Sequence, residues 1–315
     1  MNGTRDRGAA AGPGALARLQ QGLFLAWCLG LAVVLWQLAV QGVSAGRVGA
    51  LLALVAGHAL LLGLEFVLMR EVNRRATGIA QPWGRVFGAW RDEVLFAVRV
   101  FFWRQPWASQ SEPDLVPADG AALGRRGVVF VHGFVCNRGL WNPWMARLRA
   151  QGVPFVAVNL APVFGHIDDY PPLIEAAVGR LLVATGEPPL IVAHSMGGLA
   201  TRAWLRAGDN DARVHHVITL GTPHAGTWLA LFAHSPNGLE MRWQGDWVRT
   251  LAAAEPPGRA ALFTCWWSGC DQIVFPPPTA QLPGAAWREL PGVAHVKMVD
   301  QAVVFDDLVQ RLPGA

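Results

Sequence analysis

The chain has 315 residues, of which 52% are hydrophobic and 15% charged, with a formal net charge of +4. That length exceeds one ordinary α/β domain, and the apolar balance exceeds that of a water-soluble enzyme, so a membrane part is expected. The basic residues are scattered and almost all arginine, Lys297 being the only lysine; without a basic stripe interleaved with stacking aromatics, a nucleic-acid partner is excluded.

In chain order, the Ala/Gly-rich lead up to residue 22 is expected to be disordered. Two apolar runs follow. Leu23 to Val40 is interrupted only by Gln37, and Val48 to Met69 contains His58 and Glu65. Each approaches the roughly 20 apolar residues that cross a bilayer. The link, residues 41–47, is short, so residues 23–70 are expected to form a transmembrane helical hairpin with both ends on one side. Arg5, Arg7 and Arg18 precede the first run, Arg70, Arg74, Arg75 and Arg85 follow the second, and only Arg47 lies in the turn. The positive-inside rule then places the remainder of the chain on the cytoplasmic face of the inner membrane. A signal peptide cleaved near Val43-Ser44-Ala45 competes with this reading, but the apolar core is long and a second run follows at once. His58 is expected to be neutral, and Glu65 to pair or snorkel near the interface rather than act in a relay.

Residues 71–126 hold an amphipathic helix and a linker. From Trp83 to Trp103, Val86, Phe87, Trp90, Val94, Leu95, Val98, Phe101 and Phe102 recur at helical spacing, with arginines on other faces. Such a helix either lies in the membrane interface or packs on the domain that follows. Gln105 to Arg126, with three prolines, reads as an irregular linker.

The remainder, 127–315, alternates strands and helices. Strands are expected at 128–131, 153–158, 189–192, 214–220 and 261–267, and helices at 167–185 and 198–205. This alternation predicts a mostly parallel sheet covered by helices on both faces. Residues 225–258 interrupt it. They carry Trp228, Leu229, Phe232 and Trp243, and are expected to cap a site and line an apolar pocket.

The chemistry centres on Ala193-His194-Ser195-Met196-Gly197, between an apolar strand and a helix. A sharp strand-to-helix turn flanked by small residues lifts a serine hydroxyl above the sheet edge. A serine nucleophile needs a base, and the base an orienting acid. Asp271 just past a strand and His295 in a Gly-containing loop before a final helix follow Ser195 in the order Ser, Asp, His. A developing oxyanion needs N–H donors; Met196, after the serine, and Phe134, after the first strand, are the candidates.

Val-His-Gly-Phe at 131–134, Ala-His-Ser-Met-Gly-Gly at 193–198, Gly-Thr-Pro-His-Ala-Gly at 221–226, Asp271 with Val274 and Pro276, and Gly-Val-Ala-His at 292–295 together resemble a bacterial lipase or esterase of the α/β-hydrolase superfamily. The resemblance covers roughly residues 125–312. It implies an α/β-hydrolase fold, here preceded by two transmembrane helices, and serine ester hydrolysis on a lipid or other hydrophobic ester. A thioesterase, phospholipase or acyltransferase would use the same triad. An inactive membrane scaffold is the alternative of another class, which the intact Ser195, Asp271 and His295 disfavour, and the apolar cap disfavours a peptidase. No metal or organic cofactor is implied. Many secreted bacterial lipases carry calcium near the histidine loop, but Asp300, Asp306 and Asp307 form no clear paired ligand set. The spacing of Cys265 and Cys270 permits a disulfide, which a cytoplasmic location would keep reduced.

Overall fold

The computed structural model describes residues 14–117 and 122–312; the first 13 residues of the expected disordered lead, with Arg5 and Arg7, lie outside these. Helix α1 (Ala15–Gln41) starts at Ala15 rather than near Leu23, and α2 (Ala45–Thr77) runs past Met69 to a left-handed Gly78 whose N–H donates to Arg74 O. Ser44 caps α2 by accepting from the Arg47 N–H. The two helices are tied where the Trp27 indole N–H donates to Leu54 O at 3.0 Å. Both are long and apolar enough to cross a membrane, and only 6% of the most apolar window of each is buried.

Helix α3 (Trp83–Ala97) continues through a π-helical turn, Val98–Arg104, into the short α4 (Gln105–Trp107). This segment packs on the body that follows. Val86 and Ala89 are buried with Phe66 and Met69 of α2 against Cys270, Phe275 and Ala294. Trp83, Phe87 and Leu95 remain exposed on the opposite side.

The body then follows as β1 (Val128–Val131), α5 (Asn142–Ala150), β2 (Phe155–Val158), α6 (Pro171–Thr185), β3 (Leu190–His194), α7 (Met196–Gly208), β4 (His216–Leu220), α8 (Pro236–Glu240), α9 (Asp246–Ala253), β5 (Phe263–Trp267), β6 (Ala286–Glu289) and α10 (Ala302–Gln310). All six strands pair in parallel, in the order β2-β1-β3-β4-β5-β6. Strand periodicity divides the side chains between two cores. Val129, Val131, Ile191 and Val217 join α6 and α7 on one face. Val128, Phe130, Val192 and Ile218 join α5 and α10 on the other. Each such side chain contributes about 1.5–3 kcal/mol on burial, which is why these strands read as continuous apolar runs. β6 breaks that pattern, since Ala286, Trp287, Arg288 and Glu289 are all exposed on the sheet edge.

The chain leaves β1 for β2 on one side and returns to β3 on the other. The crevice beyond the carboxyl ends of β1 and β3 is therefore a topological switch point, where ligands bind in open α/β sheets. Phe134 follows β1 and Ser195 follows β3.

Candidate active site

Ser195 adopts φ 56° and ψ −129°, a conformation a side-chain-bearing residue rarely takes. Its surroundings impose it. The Ser195 N–H donates to Leu220 O at 2.8 Å, while Ser195 O accepts from Thr222 Oγ1 at 2.9 Å and from Gly198 N at 3.0 Å. Gly197 passes so close to β1 that a Cβ there would stand 2.5 Å from Val131 O, so the second small residue of the turn has no substitute.

His295 and Asp271 are buried together, with His295 Nδ1 2.9 Å from Asp271 Oδ2. The other carboxylate oxygen accepts from the N–H groups of Ile273 at 2.9 Å and Val274 at 2.7 Å. The acid is thus held by the turn that follows β5, and it can accept only a proton-bearing Nδ1. Gly221, at φ +53°, lies beneath the pair; a Cβ there would come within 2.8 Å of Asp271 Oδ2 and 3.0 Å of His295 Nδ1. Burial disfavours the imidazolium of His295, but the Asp271 charge and hydrogen bond, with a further contribution from Glu93, outweigh it and raise the pKa above the ordinary 6.5.

Ser195 and His295 border the same cavity, of about 200 Å³. Among the described residues Ser195 Oγ has no hydrogen-bond partner, so the structure brings Ser195, Asp271 and His295 into one site with the Asp–His contact made and the Ser–His contact open. Such contacts tighten on substrate binding. The N–H groups of Phe134 and Met196 likewise have no protein acceptor among the described residues. The loop after β1 is tightly constrained, with Val135, a β-branched residue, at φ 53°. The two neighbouring histidines are structural. Both ring nitrogens of His132 are engaged, Nδ1 with Gly133 O and Nε2 with the Leu160 N–H, and burial lowers its pKa to about 4. His194, kept neutral by burial, donates from Nε2 to His295 O at 3.1 Å.

Sequence reasoning missed Glu93. This carboxylate in α3 is fully buried and accepts from Gln272 Nε2 at 2.9 Å, Val296 N at 2.8 Å and Lys297 N at 3.0 Å. Gln272 in turn accepts the His295 N–H at 3.1 Å. Glu93 therefore clasps the loop that carries His295. Burial raises its pKa, and the donated hydrogen bonds oppose that rise. The available signal was an acid on the same helical face as Val86, Ala89, Phe96 and Val100, all of them buried.

A second cavity, of about 320 Å³, opens on Ser195 and is lined by Phe134, Leu229, Phe232 and Met241 among others. Of the four expected pocket residues, Leu229 and Phe232 are there, whereas Trp228 and Trp243 border a different cleft beside Leu68, Val72 and Arg75 of α2. For Trp228 the division follows from the 3₁₀ turn Trp228–Phe232. With three residues per turn, Leu229 and Phe232 share a face and Trp228 does not. Trp228 packs instead on Phe275, with ring centroids 5.7 Å apart. Asp300 pairs with Lys297, Asp306 with Arg147 and Asp307 with Arg311. Cys28, Cys136, Cys265 and Cys270 are all free thiols.

The family model described as the alpha/beta hydrolase family matches residues 128–314. No curated protein matches the chain significantly. Among solved structures, a lipase of Bacillus licheniformis in its mature form superposes with a TM-score of 0.53 at 17% identity, covering 61% of this chain and 95% of that one. Lipase B of Aspergillus fumigatus superposes with a TM-score of 0.52 at 19% identity, covering 64% of this chain and 57% of that one. At such identities the likeness concerns the fold.

Proposed function

This chain belongs to the alpha/beta hydrolase family, and from that footing we propose that it is a membrane-anchored serine hydrolase that cleaves carboxylic esters of hydrophobic acyl groups. The observation that carries this reading is the Asp271–His295 pair buried beside Ser195, which stands at positive φ at the mouth of an apolar cavity. The Bacillus and Aspergillus proteins of similar fold are lipases, which supports it.

In this mechanism Ser195 Oγ attacks the ester carbonyl as His295 Nε2 takes its proton. Asp271 keeps the imidazole in the tautomer with Nδ1 protonated and stabilises the imidazolium. The N–H groups of Phe134 and Met196 receive the oxyanion; a donor of this kind is worth about 10²–10³ in kcat. His295 returns the proton to the leaving alcohol, and water then releases the acid by the same steps in reverse. The cavity wall of Leu229, Phe232 and Met241 takes the acyl chain.

Anchoring rests on α1 and α2, whose length and apolar, uncovered surfaces suit a bilayer. The arginines flanking the hairpin favour a cytoplasmic hydrolase domain.

A fluorophosphonate probe is expected to label the full-length protein, and Ser195→Ala to abolish both labelling and turnover of p-nitrophenyl esters. Labelling that survives the substitution would remove the assignment. A panel of esters of graded length, run beside acyl-CoA and phospholipid substrates, separates ester hydrolysis from the related acyl transfers. For topology, alkaline phosphatase fused at the C-terminus is expected to be inactive, and an active fusion would put the domain on the opposite face.

A further inference from the structure

The part of the hairpin that stands free is shorter than its two helices, because the rest of the chain packs along them. Near the start of α1, Gln20 Nε2 donates to Gln105 Oε1 at 2.8 Å and Gln21 Nε2 to Pro106 O at 2.6 Å. One turn further, Phe24 meets Phe102 and Trp107 edge-on, with ring centroids 6.0 Å apart in both pairs, and Trp27 meets Phe102 at 6.1 Å. On α2 the Trp90 indole N–H donates to Ala59 O at 2.8 Å, and Trp27 itself reaches Leu54 O. Only residues 28–41 of α1 and 45–53 of α2 lie beyond these contacts. The longer of the two stretches rises about 21 Å at 1.5 Å per residue, whereas the hydrocarbon core of a bilayer is about 30 Å thick.

The tip decides where that length is counted from. Arg47 donates to Gln41 O, Gly42 O and Gln41 Oε1, beside Ser44. A charged, polar turn of this kind belongs among headgroups and not in hydrocarbon. With the tip at the far headgroups, the near edge of the hydrocarbon falls about 9 Å below Trp27, among groups of the body. The body is apolar at that level. Leu95 of α3, Val98 and Trp103 of the π-helical turn and Trp107 of α4 are all exposed, as are Leu19 and Leu23 of α1. Arg99 is exposed in the same segment, and Arg104 lies over the Phe96 ring, 5.3 Å from its centroid; such side chains reach headgroup phosphates while their stems stay in lipid. Between α1 and the π-helical turn lies a cleft of about 380 Å³ with Leu23, Phe24, Trp27, Phe101 and Phe102 in its walls. A contiguous apolar surface bearing Trp and Arg suits the boundary between headgroups and acyl chains.

We infer that this collar is a second membrane contact: Leu95, Val98, Trp103 and Trp107 are sunk in the headgroup–acyl boundary of the leaflet through which the hairpin enters. The body then rests on the phospholipid bilayer and is not merely tethered to it. The inference rests on the anchoring part of the proposed function and not on the chemistry of Ser195. Docked in this way, the cavity that Ser195 and His295 border, with Leu62 of α2 and Phe101 in its walls, stands close to the lipid boundary.

The test attaches an environment-sensitive fluorophore to single cysteines of the full-length protein in vesicles of phosphatidylcholine and phosphatidylglycerol. Cys28 is the one native cysteine that is not buried, so the background is Cys28→Ala. Leu95→Cys and Trp103→Cys report the collar and Leu35→Cys the middle of α1. Val183→Cys reports the far end of the body: it is exposed on α6, two residues after Leu181, which lies against Gly127 at the start of β1. Each labelled protein enters the comparison if it elutes from a sizing column in detergent as the wild type does. The quenchers are iodide in the water and a phosphatidylcholine with a nitroxide near the top of its acyl chain. Relative to position 183, iodide quenching at 95 and 103 is expected to fall at least about fivefold, as for groups sunk about 5–10 Å into the boundary, and the nitroxide lipid is expected to quench both. The ratio to position 183 cancels protein that faces inward. Collar labels as open to iodide as position 183, with position 35 shielded, would overturn the inference and leave a body tethered clear of the bilayer. If position 35 is equally open, the anchoring reading falls and this inference with it. Catalysis is not measured, so an inactive Ser195 would leave the result standing.

Discussion

Leu199 of α7 and Leu60 of α2 are the same residue in the same kind of element, yet Leu199 is fully buried and Leu60 is 68% exposed. The contrast extends to the regions around them. α7 buries ten consecutive residues from Met196 to Leu205, whereas α2 buries only Phe66, Met69 and Asn73, all near the catalytic loops. Apolarity in the hydrolase body makes a core. Apolarity in the N-terminal helices is mostly left exposed, apart from the contacts of α1 with α2 and with Phe102 and Trp107 and the length where α2 and α3 form a wall of the Ser195 site. The N-terminal segment is therefore two things in sequence: a long apolar exposed surface, then a structural part of the candidate active site that the family match, which begins at residue 128, does not include.

Substitutions in the two regions break or sharpen this comparison. The largest effect is expected within the body. Asp271→Asn deprives His295 of its orienting charge, and kcat should fall about 10³–10⁴-fold with the fold retained. His295, whose pKa is raised chiefly by Asp271 against the opposing effect of burial, must be neutral to act as base. In the wild type the acid limb of kcat/KM should thus lie above pH 6.5, and in the residual activity of Asp271→Asn it should move to lower pH. A limb that does not move would assign the role to another carboxylate.

Leu199→Ala comes next. It should cost about 2–5 kcal/mol in denaturant unfolding, as a cavity-forming substitution in a packed core. In the N-terminal region, Glu93→Gln should lower kcat about 10–100-fold, because the loop carrying His295 loses a charged acceptor of three hydrogen bonds. Removing that negative charge should also shift the acid limb to lower pH, a change that mere loosening of the fold would not produce. Full activity with an unmoved limb would show that α3 only packs. Smallest of all, Leu60→Ala should change stability by less than about 0.5 kcal/mol. A cost resembling that of Leu199→Ala would mean that the outward face of α2 has a protein partner, and the comparison would fail.

How far the sequence could be read follows the same division. The strands and the elbow were legible because their signals are local: continuous apolar runs for doubly covered strands, and Ala193 to Gly197 for the turn. Asp271 and His295 were found by chain order and then brought to 2.9 Å by the fold. β6 was not anticipated, because Ala-Trp-Arg-Glu on an exposed edge has neither an apolar run nor an alternation. That Trp228 and Trp243 would face a different cleft from Leu229 and Phe232 was not legible, because a segment built from short helical turns orients side chains by its bends rather than by one period. Glu93 escaped because its partners lie 179 to 204 positions away. No local pattern announces a hydrogen bond of that range, and only the presence of an acid on an apolar helix face hinted at it.

The span of that clasp also bears on how the protein is made. A ribosome delivers Glu93 and both apolar helices long before Gln272, Val296 and Lys297, the groups that Glu93 holds. Until these emerge, Ser195, itself synthesised in between, lacks both His295 and Asp271. On the proposed reading of a membrane-anchored serine hydrolase, a nascent chain would be chemically silent while its helices enter lipid, and would become reactive only when the late segment closes onto the early one. On that proposal, residence in the bilayer would come before competence to attack an ester.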